Sequence, residues 1–328
     1  MTATADHHPA VQSFLDHLTA SGRASTAASY GAYLSWFETW LTTQGVDLLD
    51  ATTATIASYQ QFVANEYRKR DGSTLALSTQ CTVLVVVRTL YAWLHRRNVV
   101  LFNPAASIIP ANPPKSLVVA KDYLTLDEAI ALITTLSDLV AEAQPQSVLW
   151  ALAVRNLSAI SVALATGRRS GGLVSIQVSD IDVDRAEVRV SWEKGKTGRV
   201  LPVAAWAMAL VAHYITAARP LILNGRESDA LFPTIHAPAM THGAFVYVLE
   251  QAIAATITRH PDLTSLASKR ISTHSLRVTF ATVMFSSGIG IRSLNELMLH
   301  ADLNTTAQYT PIPLEDLRRV MLAHHPRA

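Results

Sequence analysis

A proline-rich segment divides the chain into two parts. Residues 103–115 read N-P-A-A-S-I-I-P-A-N-P-P-K and hold four of the 14 prolines. Proline disfavours helix at its own position and at the residue before it, so this segment is the best candidate for a linker. At 328 residues the chain is also longer than a single hydrophobic core usually becomes. We place the boundary near residue 115, which predicts domains 1–115 and 116–328.

The pattern of apolar residues in the first part predicts a bundle of helices. Apolar residues recur at i, i+3, i+4 and i+7 from Val11, and a second apolar stripe over residues 30–41 stops near Gly45. We expect a third helix over residues 53–69 and a fourth from Ser78, a residue type that caps helix N-termini, to residue 97. Near two helix ends lie six basic residues, which form either a phosphate-facing or a merely solvated surface: Arg68, Lys69, Arg70, Arg88, Arg96 and Arg97.

The sequence of the second part predicts both helices and strands. The pattern T-L-D-E at residues 125–128 is a capping box that opens a helix. A long helix over residues 145–165 ends at T-G-R-R-S-G-G-L, and residues 176–181 and 188–192 have the character of strands. A hairpin-like G-K-T-G then leads to the strand R-V-L-P-V, and helical patterns continue from residue 203. The predicted fold is mainly α with a small antiparallel β-sheet.

Composition restricts the class of protein. Hydrophobic residues make up 49% and charged residues 16%, as in a globular protein with a full core. No uninterrupted apolar run approaches the roughly 20 residues that span a membrane. The N-terminus M-T-A-T-A-D-H-H-P-A lacks the pattern of a signal peptide, and the single cysteine, Cys81, suits a reducing compartment. We therefore expect a soluble cytoplasmic protein without a membrane partner.

The positive charge is carried mostly by arginine. The net charge is only +2, but 21 of the 27 basic residues are Arg and 6 are Lys. The planar guanidinium matches phosphate oxygens bidentately, whereas the lysine ammonium acts as a point charge. Arginine enrichment fits a GC-rich genome equally well, so composition alone does not identify a nucleic-acid partner.

Six residues form a coherent set for one reaction. In T-H-S-L-R, His274 and Arg277 lie at i and i+3 of a helix and project from one face. The others are Arg169 in a glycine-rich turn, Lys194 near a hairpin tip, and His300 with Tyr309 nine residues later. Two guanidiniums, a lysine, two imidazoles and a phenol suit attack on a phosphodiester without a metal.

The chemistry accounts for each residue type. Two arginines can neutralise the charge that gathers on the non-bridging oxygens, in place of metal ions. A lysine can act as general acid for the poor leaving 5′-oxygen. A phenol can act as covalent nucleophile, and the phosphotyrosine ester keeps the energy of the broken bond. The break is then reversible without ATP, so we expect no cofactor.

These motifs, in this order, resemble the tyrosine recombinase or phage integrase family. The matching stretches are T-G-R-R-S-G-G-L, E-K-G-K-T-G-R-V-L-P-V, H-S-L-R, L-H-A-D and Y-T, and the ending A-H-H-P-R-A is similar to the Xer branch. The resemblance covers nearly the whole chain. It implies an N-terminal helical core-binding (SAM-like) domain followed by a C-terminal α+β catalytic domain.

The resemblance also implies a role for each residue. Arg169 and Arg277 would bind the scissile phosphate, and His274 and His300 would hydrogen-bond it or assist proton transfer. Lys194 would protonate the leaving 5′-oxygen, and Tyr309 would form a 3′-phosphotyrosyl link.

The resemblance further implies that DNA strand exchange would pass through a Holliday junction. It would take place in a tetramer bound to a double-stranded DNA recombination site. That tetramer would be a homotetramer, or a heterotetramer with a second recombinase. Residues 314–328 are the candidate segment for packing against a neighbouring protomer.

Some positions depart from the family pattern. Gly172 stands where an acidic residue is common, Leu299 where glycine is usual and Val278 where histidine is common. Arg168 competes with Arg169 as the phosphate ligand and Lys196 with Lys194 as the acid; spacing favours Arg169 and Lys194. Two other functions remain open, namely a catalytically idle DNA-binding accessory protein and a type IB topoisomerase-like relaxing enzyme.

Overall fold

The computed structural model describes residues 7–69, 71–107, 122–190 and 199–298. The chain divides into two compact units, Met1–Leu117 and Val118–Ala328. The predicted boundary near residue 115 falls in the stretch 108–121, outside the described residues.

The first unit is helical, as predicted. Its amphipathic stripes are buried, including Val11, Phe14 and Leu15 of the first helix. Gly45 takes a left-handed φ of 64° and ends the second helix where the sequence predicts. The helices are α1 (Pro9–Ala20), α2 (Ala24–Gln44), α3 (Thr53–Gln61), which continues into a π-helical turn (Phe62–Glu66), and α4 (Leu77–Arg96).

Aromatic side chains fill the core of this unit. The rings of Phe37 and Tyr59 lie 4.7 Å apart between centroids, and Tyr91 meets Phe37 edge-on at 6.2 Å. The Tyr91 hydroxyl donates a 2.8 Å hydrogen bond to the carbonyl of Leu48. Burial raises the pKa of both Tyr59 and Tyr91, so both phenols stay neutral. These stripes serve packing, as their spacing predicts.

Two boundaries in the first unit differ from the prediction. The third helical stretch ends at Glu66, because Tyr67 turns to an extended conformation and stacks its ring on Trp36 at 5.0 Å. The fourth helix starts at Leu77 with Ala76 at the N-cap, so Ser78 lies inside its first turn. Burial of Leu75 in the core sets where the chain enters this helix, and packing outweighs the capping preference of serine.

The second unit surrounds one buried helix, α6 (Val148–Thr166), which packs against α5, α8 and α12. The other helices are α5 (Leu126–Glu142), α7 (Ser170–Val174), α8 (Ala205–His213), followed by a π-helical turn (Tyr214–Ala218), α9 (Arg219–Leu223), α10 (His242–Arg259), α11 (Thr264–Ser268), α12 (Thr273–Ser286) and α13 (Ile291–Leu297). The capping box predicted at residues 125–128 is present, with Thr125 and Glu128 bonding each other's backbone N–H. The packing of α12 against α6 brings the end of α6 next to α12.

A small antiparallel sheet in the order β1-β2-β3 completes the unit: β1 (Ile181–Asp182), β2 (Glu187–Val190) and β3 (Arg199–Pro202). Val188 pairs with Ile181 on one side and with Leu201 on the other. Of the strand predicted over residues 176–181, Gln177 forms an isolated antiparallel bridge with Ala230 and Ile181 begins β1. Between them the Asp180 carboxylate accepts the N–H of Gln177 at 2.9 Å and closes a 3-10 turn. The predicted hairpin tip lies in residues 191–198, outside the described residues.

Three helical stretches of the described chain are long and apolar enough to cross a membrane: Leu77–Arg96, Val148–Thr166 and Ala205–Leu223, with mean hydropathies of 1.3, 1.7 and 1.3. Each contributes buried side chains to a core cluster within its own unit. In these stretches 44%, 56% and 33% of the residues, in the same order, are buried in the fold.

Candidate active site

Arg277 lies at the centre of the site. It is 2% exposed and sits in the second turn of α12, which begins with a capping box between Ser272 and Ser275. Its Nη1 donates to the carbonyl of Gly167 at 2.6 Å, and its Nη2 donates to the carbonyl of Met298 at 2.6 Å. One guanidinium thus connects the end of α6, helix α12 and the end of α13, and its plane is fixed by both bonds.

Gly167 is required at the turn that precedes Arg169. It ends α6 with a φ of +60°, a conformation that residues with a Cβ rarely adopt. A Cβ at this position would also overlap the ring of Phe280 on α12. The glycine therefore allows α6 and α12 to approach closely enough for the Arg277 bond to form.

The two arginines after Gly167 have different surroundings. Arg169 is exposed at the N-cap of α7, with an extended backbone (φ −65°, ψ 147°). Arg168 is half-buried and packs its guanidinium against Gly172. Spacing in the sequence favours Arg169 over Arg168 as the phosphate ligand, and Arg169 is the more exposed of the two in the structure. Gly172, which stands where the family pattern commonly has an acidic residue, lies beside the Arg168 guanidinium.

His274 lies in the first turn of α12 and is half-buried. It stands three residues before Arg277 on the same helix, as the motif H-S-L-R predicts. Helix α12 thus carries both His274 and Arg277, and the Arg277 bond to Gly167 holds this helix beside the turn that carries Arg169.

The start of the second unit holds α12 in place through contacts that the sequence did not indicate. Glu128 is 1% exposed and its oxygens accept from Lys269 Nζ at 2.6 and 2.8 Å. The backbone N–H of Leu124 donates to Thr279 Oγ1 on α12 at 2.9 Å. The capping box predicted Glu128 as a capping residue only, because its partner Lys269 is 141 residues away in sequence.

Lys194, His300 and Tyr309 lie outside the described residues, as do Leu299, Lys196 and the candidate tail 314–328. Their roles stay predictions. Within the described ranges, no group of three or more His, Cys, Asp or Glu residues is arranged to hold a metal ion.

The predicted basic surface belongs to the first unit. Five of its six members are described and all five are exposed: Arg68, Lys69, Arg88, Arg96 and Arg97. Arg70 lies outside the described residues. The Arg97 guanidinium stacks 4.6 Å from the centroid of the Trp93 ring, which restricts its direction without neutralising its charge. These cations are available to an anionic partner.

Comparison with known proteins agrees with this arrangement. The model of the phage integrase family matches residues 123–313. The tyrosine recombinase XerD of Yersinia pestis is 30% identical over 323 residues, which cover 98% of this chain and 98% of that protein.

Two solved structures share the fold. A XerH site-specific recombinase bound to a palindromic difH substrate matches with a TM-score of 0.67 and 17% identity, over 92% of this chain and 80% of that one. A lambda integrase tetramer bound to a Holliday junction matches with a TM-score of 0.58 and 15% identity, over 93% of this chain and 77% of that one.

A helical unit, a second unit with a small sheet, and two arginine motifs joined at one turn are the features of a recombinase fold. The chain belongs to the phage integrase family. Within that family it is a site-specific tyrosine recombinase with an Xer-like sequence.

Proposed function

We propose that the protein cuts and rejoins duplex DNA at a specific recombination site through a covalent link between Tyr309 and a 3′-phosphate. The observation that carries the proposal is the bond between Arg277 and the Gly167 carbonyl, because it brings the turn of Arg169 to the helix of His274. Two guanidiniums at one place can hold the two non-bridging oxygens of a phosphodiester. The reaction then needs neither a metal nor ATP.

The remaining roles follow from chemistry. Tyr309 attacks phosphorus and displaces the 5′-oxygen, which takes a proton from Lys194. His274 and His300 hydrogen-bond the phosphate or assist proton transfer. In the reverse step a 5′-hydroxyl attacks the phosphotyrosine, Tyr309 leaves as the phenol, and the joined strand is a phosphodiester again. Exchange of two strand pairs in this way passes through a Holliday junction.

The two domains divide the work. Residues 1–115 clamp the duplex through the exposed basic residues of the first unit, and residues 116–328 carry the reaction. The assembly is a tetramer on DNA, formed by four copies or with a second recombinase, in which residues 314–328 contact the next protomer. The XerH and lambda integrase structures support binding to DNA and a multimeric assembly. The protein acts in the cytoplasm, where its DNA substrate lies.

Covalent trapping tests the proposal. The protein and its Tyr309→Phe variant are incubated with nicked duplexes tiled from the DNA that flanks the gene, and the products are separated on a denaturing gel. We expect a shifted band with the unchanged protein and none with the variant, while both bind the same duplex. Adducts that persist in the variant would remove Tyr309 as the nucleophile.

Tight binding without any adduct would instead favour a DNA-binding accessory protein or a missing partner recombinase. Relaxation of arbitrary supercoiled DNA by a monomer would favour the topoisomerase-like alternative.

A further inference from the structure

Two consecutive arginines after α6 point into different environments. Arg169 is exposed, whereas Arg168 is half-buried and its Nη1 atom is closed to solvent. Arg169 has a polyproline-like backbone (φ −65°, ψ 147°), so its side chain and that of Arg168 leave the chain in different directions. Both directions depend on the conformation of the same short turn.

The space for the Arg168 guanidinium is provided by Gly172. A Cβ at Gly172 would lie 2.9 Å from Arg168 Nη2 and 3.3 Å from its Nε. The φ of Gly172 lies outside the left-handed region, so the backbone itself does not require glycine there. At the neighbouring Gly171, by contrast, a Cβ would meet nothing within 4 Å in the described part of the chain.

We propose that Arg168 is a positioning residue for Arg169. Gly172, which has no side chain, leaves the space that holds the Arg168 guanidinium, and we call this space the seat. With its guanidinium folded back across α7, Arg168 fixes the turn so that Arg169 leaves on the solvent side, toward the phosphate. The inference rests on the proposed function for its consequence in the reaction. The geometry of the seat does not depend on that function.

The two glycines of α7 provide a matched experiment. Gly172→Ala adds one methyl group that displaces the end of a flexible side chain, so the fold is retained while the Arg168 guanidinium moves. Gly171→Ala adds the same methyl group to the same helix in open space, and both alanines favour helix over glycine to the same degree. Any difference between the two variants therefore reports on the seat and not on the helix.

We expect Gly172→Ala to slow formation of the covalent DNA complex about tenfold, with a Kd for DNA within about twofold of the unchanged protein. Gly171→Ala should leave both quantities unchanged. Arg168→Ala should slow the reaction to a similar degree, and adding Gly172→Ala in that background should cost nothing further. Equal rates in the two glycine variants, or additive losses in the double variant, would overturn the proposal.

A second measurement does not depend on the reaction. In protein labelled with ¹⁵N-arginine, the Nε–H signal of Arg169, assigned through its loss in Arg169→Lys, should shift in Gly172→Ala and stay in place in Gly171→Ala. An unmoved signal in both variants would contradict the positioning role. If the unchanged protein formed no covalent complex on any DNA, the proposed function would fail. The NMR comparison of the two glycine variants would still show whether Gly172 holds the Arg168 guanidinium.

Discussion

Arg277 donates a 2.6 Å hydrogen bond to the carbonyl of Gly167, a residue 110 positions earlier in the chain. Gly167 lies two residues before Arg169, so the bond fixes the distance between two arginine motifs that are remote in sequence. Because the guanidinium is buried and its plane is also held by the Met298 carbonyl, the geometry is set before any ligand binds. The two bonds therefore fix the orientation of the guanidinium plane and the spacing of the two motifs.

Substituting Gly167 should test how closely α6 and α12 must approach. Gly167→Ala forces a left-handed φ on alanine and places a methyl group against Phe280, so we expect a loss of about 2–4 kcal/mol in the free energy of unfolding. Gly225→Ala is the control, since its φ is +80° but a Cβ would meet nothing within 4 Å in the described residues. It should cost about 1 kcal/mol. Urea denaturation measures both, and equal losses would show that the Phe280 contact is free of cost.

Removal of the hydroxyl group should have different effects on stability at two buried tyrosines. Tyr91 donates to the Leu48 carbonyl, so Tyr91→Phe leaves that buried carbonyl without its donor and should cost about 1 kcal/mol. The buried hydroxyl of Tyr214 has no hydrogen-bond partner among the described residues. Tyr214→Phe should therefore leave stability unchanged or raise it, with the stacking on Phe232 retained. Thermal unfolding of the two variants checks this, and equal destabilisation would contradict it.

The buried Glu128 should make stability depend on acid. Burial alone would raise the pKa of Glu128, but hydrogen bonds from Lys269, Ser265 and the Thr125 N–H outweigh it and hold the pKa below the ordinary 4.5. A depressed pKa contributes stability that is present above pH 4.5 and is lost as the pH falls through the lower folded value. At pH 7 we expect Glu128→Gln to cost about 3 kcal/mol. The difference from the unchanged protein should shrink below pH 4.5.

Glu142 provides the control for this measurement. It lies on the same helix and pairs with Arg259 at 2.7 and 2.8 Å, but on the exposed surface. Glu142→Gln should have little effect, and that effect should vanish in high salt because solvent and ions screen the pair. Unfolding free energies at several pH values and two salt concentrations separate the two cases. If Glu128→Gln changed stability as little as Glu142→Gln, the buried Glu128–Lys269 pair would not stabilise the fold.

A change of leaving group in the DNA should reveal whether Lys194 acts as the general acid. Lys194→Ala should slow cleavage of ordinary DNA about 10²-fold or more, as expected for loss of a general acid. When the 5′-oxygen is replaced by sulfur, which leaves without a proton, the slowing should be much smaller. Lys196→Ala is the matched control, because that residue competes for the role, and it should behave like the unchanged protein on both substrates. Equal slowing by Lys194→Ala on both substrates would exclude it as the acid.

Local patterns were enough to predict the helices of the first unit, the end of α2 at Gly45, the capping box at Thr125 and the turn after α6. Each depends on residues within a few positions of one another, so spacing and capping chemistry determine them. The strand predicted over residues 176–181 forms only as a bridge at Gln177 and as the start of β1 at Ile181. Val178–Asp180 form a 3-10 turn instead, which the Gln177 N–H closes by donating to the Asp180 carboxylate.

The sequence by itself also determined the family, because the arginine, lysine, histidine and tyrosine motifs occur in the right order at the right intervals. Only the tertiary structure decided which of Arg168 and Arg169 is exposed, what a side chain at residue 172 would meet, and that Lys269 is the partner of Glu128. The reason is physical. The partners of Glu128 and Arg277 lie 141 and 110 residues away, and no local pattern records where the fold brings such groups together. Even for Arg168 and Gly172, four residues apart, the spacing does not state which side chain folds back and which faces solvent.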